Sequence, residues 1–363
     1  MTYGNLNVDT VTTSTAGGVL GAGNASTLKN RIINGAMVID QRNAGASVTP
    51  TAGVYTLDRW YCASSISSKY SVQQNAGSVT PPVGFTKYLG FTSLSAYSSG
   101  STDNFNTTQA IEGFNIADLG WGTANAKTVT LSFQVYSSLT GTFSGSLSNG
   151  SVNRSYPFTF TISSASTWTT ISVTVAGDTT GTWSTDNSAG LNVTFNLGCG
   201  STLLGTAGAW AGANYKGATG SVSVVGTSGA TFYITGVQLE VGSSATGFEY
   251  RQYQQELALC QRYFMNQSES LFFQGISSGR MGTNLAFPVQ MRATPTATLS
   301  STTLYWESLP YATVGSLTLA VIDLSKCSSL GGALSITGTF SPSPVTTYAS
   351  SLGGGQITFS AEL

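Results

Sequence analysis

The sequence predicts an all-β protein: an N-terminal extended arm, a jelly-roll β-sandwich, a short linking helix and a smaller C-terminal β-sandwich. Three observations predict it. Short runs alternate apolar and polar residues at the two-residue period of a strand; in KTVTLSFQVYSS, Val129, Leu131, Phe133 and Val135 fall on one side and Thr128, Thr130, Ser132, Gln134 and Tyr136 on the other. Many such runs precede residue 242, and Gly, Ser and Asn separate them, which is the punctuation of antiparallel sheets. Only 8% of the 363 residues are charged while 43 are glycine, against roughly 25% charged in an average soluble protein, so hydroxyls and backbone carry the solvation.

Taken in order, residues 1–29 are polar and small, with too few apolar side chains to hold a fold, and read as an arm that packs on a sister chain or an anchoring partner. Residues 30–250 carry the sandwich. LKNRIINGAMVIDQRNAG and YTLDRWYC open it as strand-and-turn segments, and KYSVQQN, KYLGFTSLS, KTVTLSFQVYSS, GTFSGSLS, YPFTFTIS, WTTISVTVAG, LNVTFNLGCG, GSVSVVG and TFYITGVQLEVG follow as strands. Trp60 sits among strand residues and is expected in the core. From Gln254 the period lengthens, and Leu257, Cys260 and Phe264, with Tyr253 and Tyr263, fall on one helical face, giving a helical linker over residues 251–265. Residues 266–363 return to strands, with Pro288 and Pro295 marking an edge or bend because proline donates nothing to a ladder.

Composition excludes several functions. A net charge of −1 offers no basic field for nucleic acid. No apolar run is long enough to span a bilayer, and MTYGNLNVDTVTTSTAGG, with neither a basic start nor an apolar stretch, is not a secretory signal. The absence of histidine removes the usual triads and the common zinc hydrolase sites. Cys62, Cys199, Cys260 and Cys327 are far apart and read as buried thiols. No cofactor or metal is implied. Glycoside cleavage by paired carboxylates remains open, but Asp40, Asp58, Glu112, Asp118, Glu240, Glu249 and Glu256 read as ion pairs and turn formers. The glycine clusters GVLGAG and SLGGGQ lack the lysine and the βαβ context of a phosphate loop.

Aromatic residues beside Gly, Asn and Asp are the candidates for binding: Trp121 in DLGWGTAN, Trp183 in GTWSTDN, Trp210 and Tyr215 in AWAGANYKG, and Tyr305 and Trp306 in TLYWES. A sugar ring presents a flat C–H face that stacks on an exposed aromatic while amides and carboxylates take its hydroxyls. The competing reading is that these rings cap the ends of the sandwich.

Two stretches carry a resemblance. LKNRIINGAMVIDQRNAG with YTLDRWYC, and QLEVGSSATGFEYRQYQQELALCQRY, resemble the patterns N-x-x-I-N-G-x-x-x-x-x-Q-R, Y-x-x-D-R-W and Q-L-E-x-G-x-x-A-T-x-F-E-x-R-x-x-x-x-E-L-x-x-C-Q-R-Y of a family of bacteriophage tail fibre and other virion structural proteins. Gly247 stands where that family often has proline, and the resemblance covers about residues 28 to 265. It implies a jelly roll similar to carbohydrate-binding modules, a homotrimer, attachment to other virion proteins through residues 1–29, contact with host cell-surface polysaccharide, and no enzymatic activity. Glu240, Glu249 and Arg251 would lock the exit of the sandwich. The alternatives are a structural virion component without a receptor (head fibre, decoration or neck protein) and a polysaccharide depolymerase.

Overall fold

The computed structural model describes residues 28–267, 272–277, 280–299, 303–308, 315–339, 347–351 and 357–363. The predicted arm therefore lies outside the described residues, apart from its last two. The chain divides into two compact units between Arg251 and Gln252.

Unit 1 is a β-sandwich of jelly-roll type. Its strands are β1 (Val54–Leu57), β2 (Trp60–Ser64), β3 (Tyr70–Gln74), β4 (Leu89–Ser93), β5 (Phe105–Glu112), β6 (Val129–Ser137), β7 (Gly141–Asn149), β8 (Ser155–Ile162), β9 (Thr169–Val175), β10 (Ala189–Asn196), the two-residue β11 (Leu204–Gly205) and β12 (Gly217–Ala218), and β13 (Thr231–Val241). One sheet runs β1-β2-β5-β10-β7-β8 and the other β3-β4-β13-β6-β9, while β11 and β12 form a small parallel pair. From β5 to β10 the chain crosses repeatedly from sheet to sheet. In a strand such as β6 the apolar side therefore faces the other sheet.

Between the sheets, Trp60, Tyr70, Phe91, Phe105, Phe133, Phe143, Phe195 and Phe232 are fully buried. Phe133 meets Phe160 and Phe195 edge-on at 5.1 and 5.0 Å between centroids. Each such side chain contributes about 1.5–3 kcal/mol by leaving water. The predicted side of β6, Val129 to Val135, is the one buried here.

Two segments depart from the expected strands. Residues 28–45 form turns, because Asn34 and Met37 take left-handed φ values of 57° and 59° that interrupt any extended run. The segment instead lies beside β13, exchanging Arg31 N–H to Leu239 O at 2.9 Å and Val237 N–H to Gly35 O at 3.0 Å. GSVSVVG is likewise a turn region that buries Val224 and Val225.

Unit 2 begins with α1 (Tyr253–Gln261), which buries Glu256 and Cys260 while Tyr253 stays exposed. The helix stops earlier than its period predicted. Phe264 already belongs to β14 (Phe264–Gln267), where pairing with a strand from the C-terminus takes over from the helical ladder. The remaining strands are β15 (Phe272–Ser277), β16 (Arg280–Ala286), β17 (Thr296–Leu299), β18 (Thr303–Ser308), β19 (Gly315–Ser328), β20 (Gly331–Thr339), β21 (Thr347–Ser351) and β22 (Ile357–Ser360). The sheet β14-β22-β17 accompanies a closed barrel, β15-β16-β20-β19-β18-β21, where a sandwich was expected. Strand β19 is 14 residues long, and its pairing with β20 shifts register twice. Such bulges bend a strand enough for a sheet to close on itself.

Candidate functional site

The two sequence stretches that carry the family resemblance, some two hundred residues apart, meet in a single polar clasp at one corner of unit 1. Asn30 is its hub. Its amide oxygen accepts the N–H groups of Ile32 at 2.9 Å and Leu239 at 3.0 Å, and its amide nitrogen donates to Val237 O at 3.2 Å. The Glu249 carboxylate accepts the backbone N–H groups of Leu28 and Asn30. Arg251 donates to the carbonyls of Ile32 and Asn30 and pairs with Glu249 at 3.7 Å. Glu240 accepts both the N–H and the hydroxyl of Thr246, at 2.8 and 2.7 Å. Gly35 has no room for a side chain, since a Cβ there would run into Val237 O. Asn34 caps Ile39 and reaches Asp58 O, and its own carbonyl takes the Trp60 indole N–H at 3.2 Å. These acids and amides tie residues 28–34 to residues 237–251.

Trp121, Trp183 and Trp210 come together, but as a packed cluster. Their centroids lie 4.7, 5.3 and 5.4 Å apart with planes near perpendicular. Trp121 and Trp183 are only 6% and 8% exposed, and each indole N–H is satisfied by a backbone carbonyl, of Lys127, Thr180 and Ala176 respectively. Their rings close one end of the sandwich, so the expectation that Trp121 and Trp183 offer free faces to a sugar is corrected: the flanking glycines are there for tight turns around buried indoles. Trp210 is half-buried against the core and packs against Tyr156 at 5.3 Å with the planes 60° apart. Tyr215 is half-buried over Gly205. Tyr305 and Trp306 lie on β18, and their side chains are outside what the structure describes.

Beside the cluster, Arg154 holds Asp178 through two bonds of 2.8 and 2.6 Å. Burial by itself would raise the Asp178 carboxyl, but the guanidinium and the N–H and hydroxyl of Thr180 outweigh it and hold it below the usual carboxylate value. Burial pushes the thiols of Cys62 and Cys199 up to about 11, which leaves both unreactive at neutral pH.

A second aromatic group, not singled out in the sequence, lies on the outer face of the sheet β3-β4-β13-β6-β9. Tyr136 and Tyr233 stack at 5.2 Å with planes 5° apart, Tyr88 stacks on Tyr233 at 5.1 Å, and Trp168 touches both Tyr136 at 5.5 Å and Tyr88 at 5.4 Å. Tyr88 and Tyr233 are buried, and Tyr136 and Trp168 are partly buried at the edge of the array. Trp168 is fixed by its indole N–H, which donates to Thr80 O at 2.9 Å.

From that edge a polar shelf runs along the outward residues of β6 and β9. Gln134 and Thr170 are joined at 2.9 Å, with Ser132 and Ser172 next along their strands. The far side is a second ring group. Gly236, with φ of 60°, lies between Thr235 and Gln238, whose partners on β6 are Gln134 and Ser132. A Cβ on Gly236 would stand 2.5 Å from the Phe85 ring, so glycine is what lets that ring settle there. Phe85 in turn packs with Phe248 at 5.1 Å and with Tyr250, which is 59% exposed, at 5.5 Å. The result is a strip of hydroxyls and one amide between two aromatic walls. The sequence did hold a signal for it: Tyr136 is a large ring on the polar side of an alternating strand.

No family model and no curated protein matches the chain. Among solved structures it is similar in part to the enzymatically active domain of tailspike protein 4 of bacteriophage CBA120, with 11% identity over 59% of this chain and a TM-score of 0.30. The match spans about a fifth of the tailspike chain, 21%. It is also similar to the family 11 carbohydrate-binding module of Clostridium thermocellum in complex with a β-1,3-1,4-mixed-linked tetrasaccharide, with 13% identity, 56% of this chain, 98% of that chain and a TM-score of 0.28. A third is the CBM22-1 xylan-binding domain from Paenibacillus barcinonensis, with 8% identity, 56% and 99% coverage and a TM-score of 0.24. Scores of this size report no shared site, so function rests on the residues themselves.

Proposed function

We propose that this protein binds glycan through the outer face of the sheet β3-β4-β13-β6-β9, as a fibre-like component of a bacteriophage particle. The observation that carries the binding reading is the partly buried pair Trp168 and Tyr136 at the edge of the Gln134–Thr170 shelf. A pyranose stacks its C–H face on such a ring, and its hydroxyls exchange hydrogen bonds with an amide and a row of hydroxyls without charge. The particle reading is supported by the motifs of the clasp, and with it come a homotrimer, attachment to other virion proteins through residues 1–29, contact with host-surface polysaccharide, and no catalysis. The clasp also favours a second reading, a head fibre, decoration or neck protein without a receptor, because its polar side chains are fully occupied in holding the sandwich.

The test is retention of the full chain on immobilised surface polysaccharide, comparing wild type with Trp168→Ala and Tyr136→Ala. Removing a central aromatic contact worth about 2 kcal/mol weakens binding roughly 30-fold. Equal retention of all three proteins refutes the assignment of the face. Gold-labelled antibody on intact particles separates the two particle readings: label on tail fibres supports the first, label on head or neck the second.

A further inference from the structure

We propose that the shelf selects an uncharged saccharide, a polymer of neutral hexoses or N-acetylhexosamines, and discriminates against uronic acid, sialic acid and sulfated chains. The inference rests on the glycan reading of this face and adds the class of sugar. It follows from where the charges of unit 1 are. Strands β6 and β9, which form the floor, contain no charged residue, and neither do residues 76–86 and 242–248, which carry Phe85 and Phe248 of the second ring group. On β13 the one charged side chain is Glu240, and it is buried under Thr246 with Lys29 at 3.9 Å. Five basic side chains of unit 1 are engaged with an acid or a ring outside the strip. Arg31 and Lys127 pair with Asp118, and Arg154 with Asp178. Arg251 pairs with Glu249, and Lys69 lies over the Tyr97 ring at 4.6 Å.

Tyr88 and Tyr233 do not supply a charge either, because burial raises their hydroxyls above the ordinary range. An anionic sugar brought onto this strip would lose part of its hydration and find no ammonium or guanidinium in exchange, a cost that neutral hydroxyls do not bear. Two cations adjoin the strip along the chain: Lys127, just before β6 and 4.0 Å from Asp118, and Lys87, whose carbonyl accepts the Thr235 hydroxyl at 2.7 Å. Lys87 is the one through which the inference could fail.

The experiment measures affinity of the full chain for neutral probes (β-glucan, galactan, mannan) and acidic probes (polygalacturonate, alginate, chondroitin sulfate). Each is run at about 20 mM and about 500 mM salt, where screening lengths differ severalfold. Binding to a neutral probe that changes less than about two-fold with salt, is unaffected by Lys87→Gln and is lost in Trp168→Ala supports the inference. Binding to an acidic probe that falls at least about tenfold with salt and is lost in Lys87→Gln overturns it while leaving the glycan reading intact. Retention by neither class refutes the glycan reading, and the inference with it.

Discussion

Replacing Asn30 by alanine tests whether the clasp holds unit 1 closed. The side chain is buried and makes three hydrogen bonds, so its loss strands the N–H groups of Ile32 and Leu239 and the carbonyl of Val237. A buried polar group left unpaired costs about 1–3 kcal/mol. Water reaching the vacated volume recovers part of that, which leaves about 3–5 kcal/mol, a large share of the 5–15 kcal/mol typical of a folded domain. With a urea dependence of about 3 kcal/mol per molar, the unfolding midpoint falls by about 1–2 M. Tryptophan fluorescence reports the right unit, because Trp60, Trp121, Trp168, Trp183 and Trp210 lie in unit 1 and of the six only Trp306 lies outside it. Ser172→Ala, on the open shelf, is the control and moves the midpoint by an amount within about 0.5 kcal/mol. An Asn30→Ala midpoint within about 0.3 M of wild type would show that the clasp is decoration and that the sandwich closes without it.

Trp121→Ala is expected to cost about 3–5 kcal/mol of stability by opening a cavity in the indole cluster, while polysaccharide retention per folded molecule stays at the wild-type level; reduced retention with unchanged unfolding would reverse the roles given to Trp121 and Trp168. Asp178 titrates below an unfolded carboxyl, so the stability it contributes is present above the unfolded value of about 4 and is lost as pH falls through its lower folded value. Denaturation midpoints taken from pH 6 downward therefore fall more steeply below about pH 4 in wild type than in Asp178→Asn, and parallel curves would contradict the pairing. Cys62 and Cys199, pushed up to about 11 by burial, are expected to resist a thiol reagent at pH 8 in the native protein and to react fully in urea; peptide mapping that finds either labelled in the native state would refute their burial.

Much of the sandwich was legible because burial in it follows the pleat. In β6 apolar side chains alternate with polar ones, and the alternation alone orients the strand; in β13 the irregularity between Thr235 and Gln238 shifts the phase, so that Ile234 and Val237, three residues apart, both enter the core. Strand β5 escaped the same reading. Thr107 and Gln109 are polar yet buried, and Gln109 is satisfied by both the N–H and the carbonyl of Ile33, 76 residues away. No local pattern reveals a partner that far off. The tryptophans failed for a related reason: loop-like neighbours say that the backbone turns at Trp121 and Trp183, but not that their rings turn inward to meet each other. Barrel closure in unit 2 depends on β21 pairing with both β15 and β18, a choice that the residues of β21 do not record.

The clasp also sets how the molecule would carry force. Leu28 and Arg251, where the chain enters and leaves the sandwich, are both tied to Glu249. Tension transmitted along the chain from one side of unit 1 to the other therefore crosses a few hydrogen bonds at one corner, to Glu249 and to the end of β13, before it reaches the other strands. Mechanically the sandwich is a loop hung on the line of load, and it keeps its binding face unstrained for as long as Asn30, Glu249 and Arg251 hold.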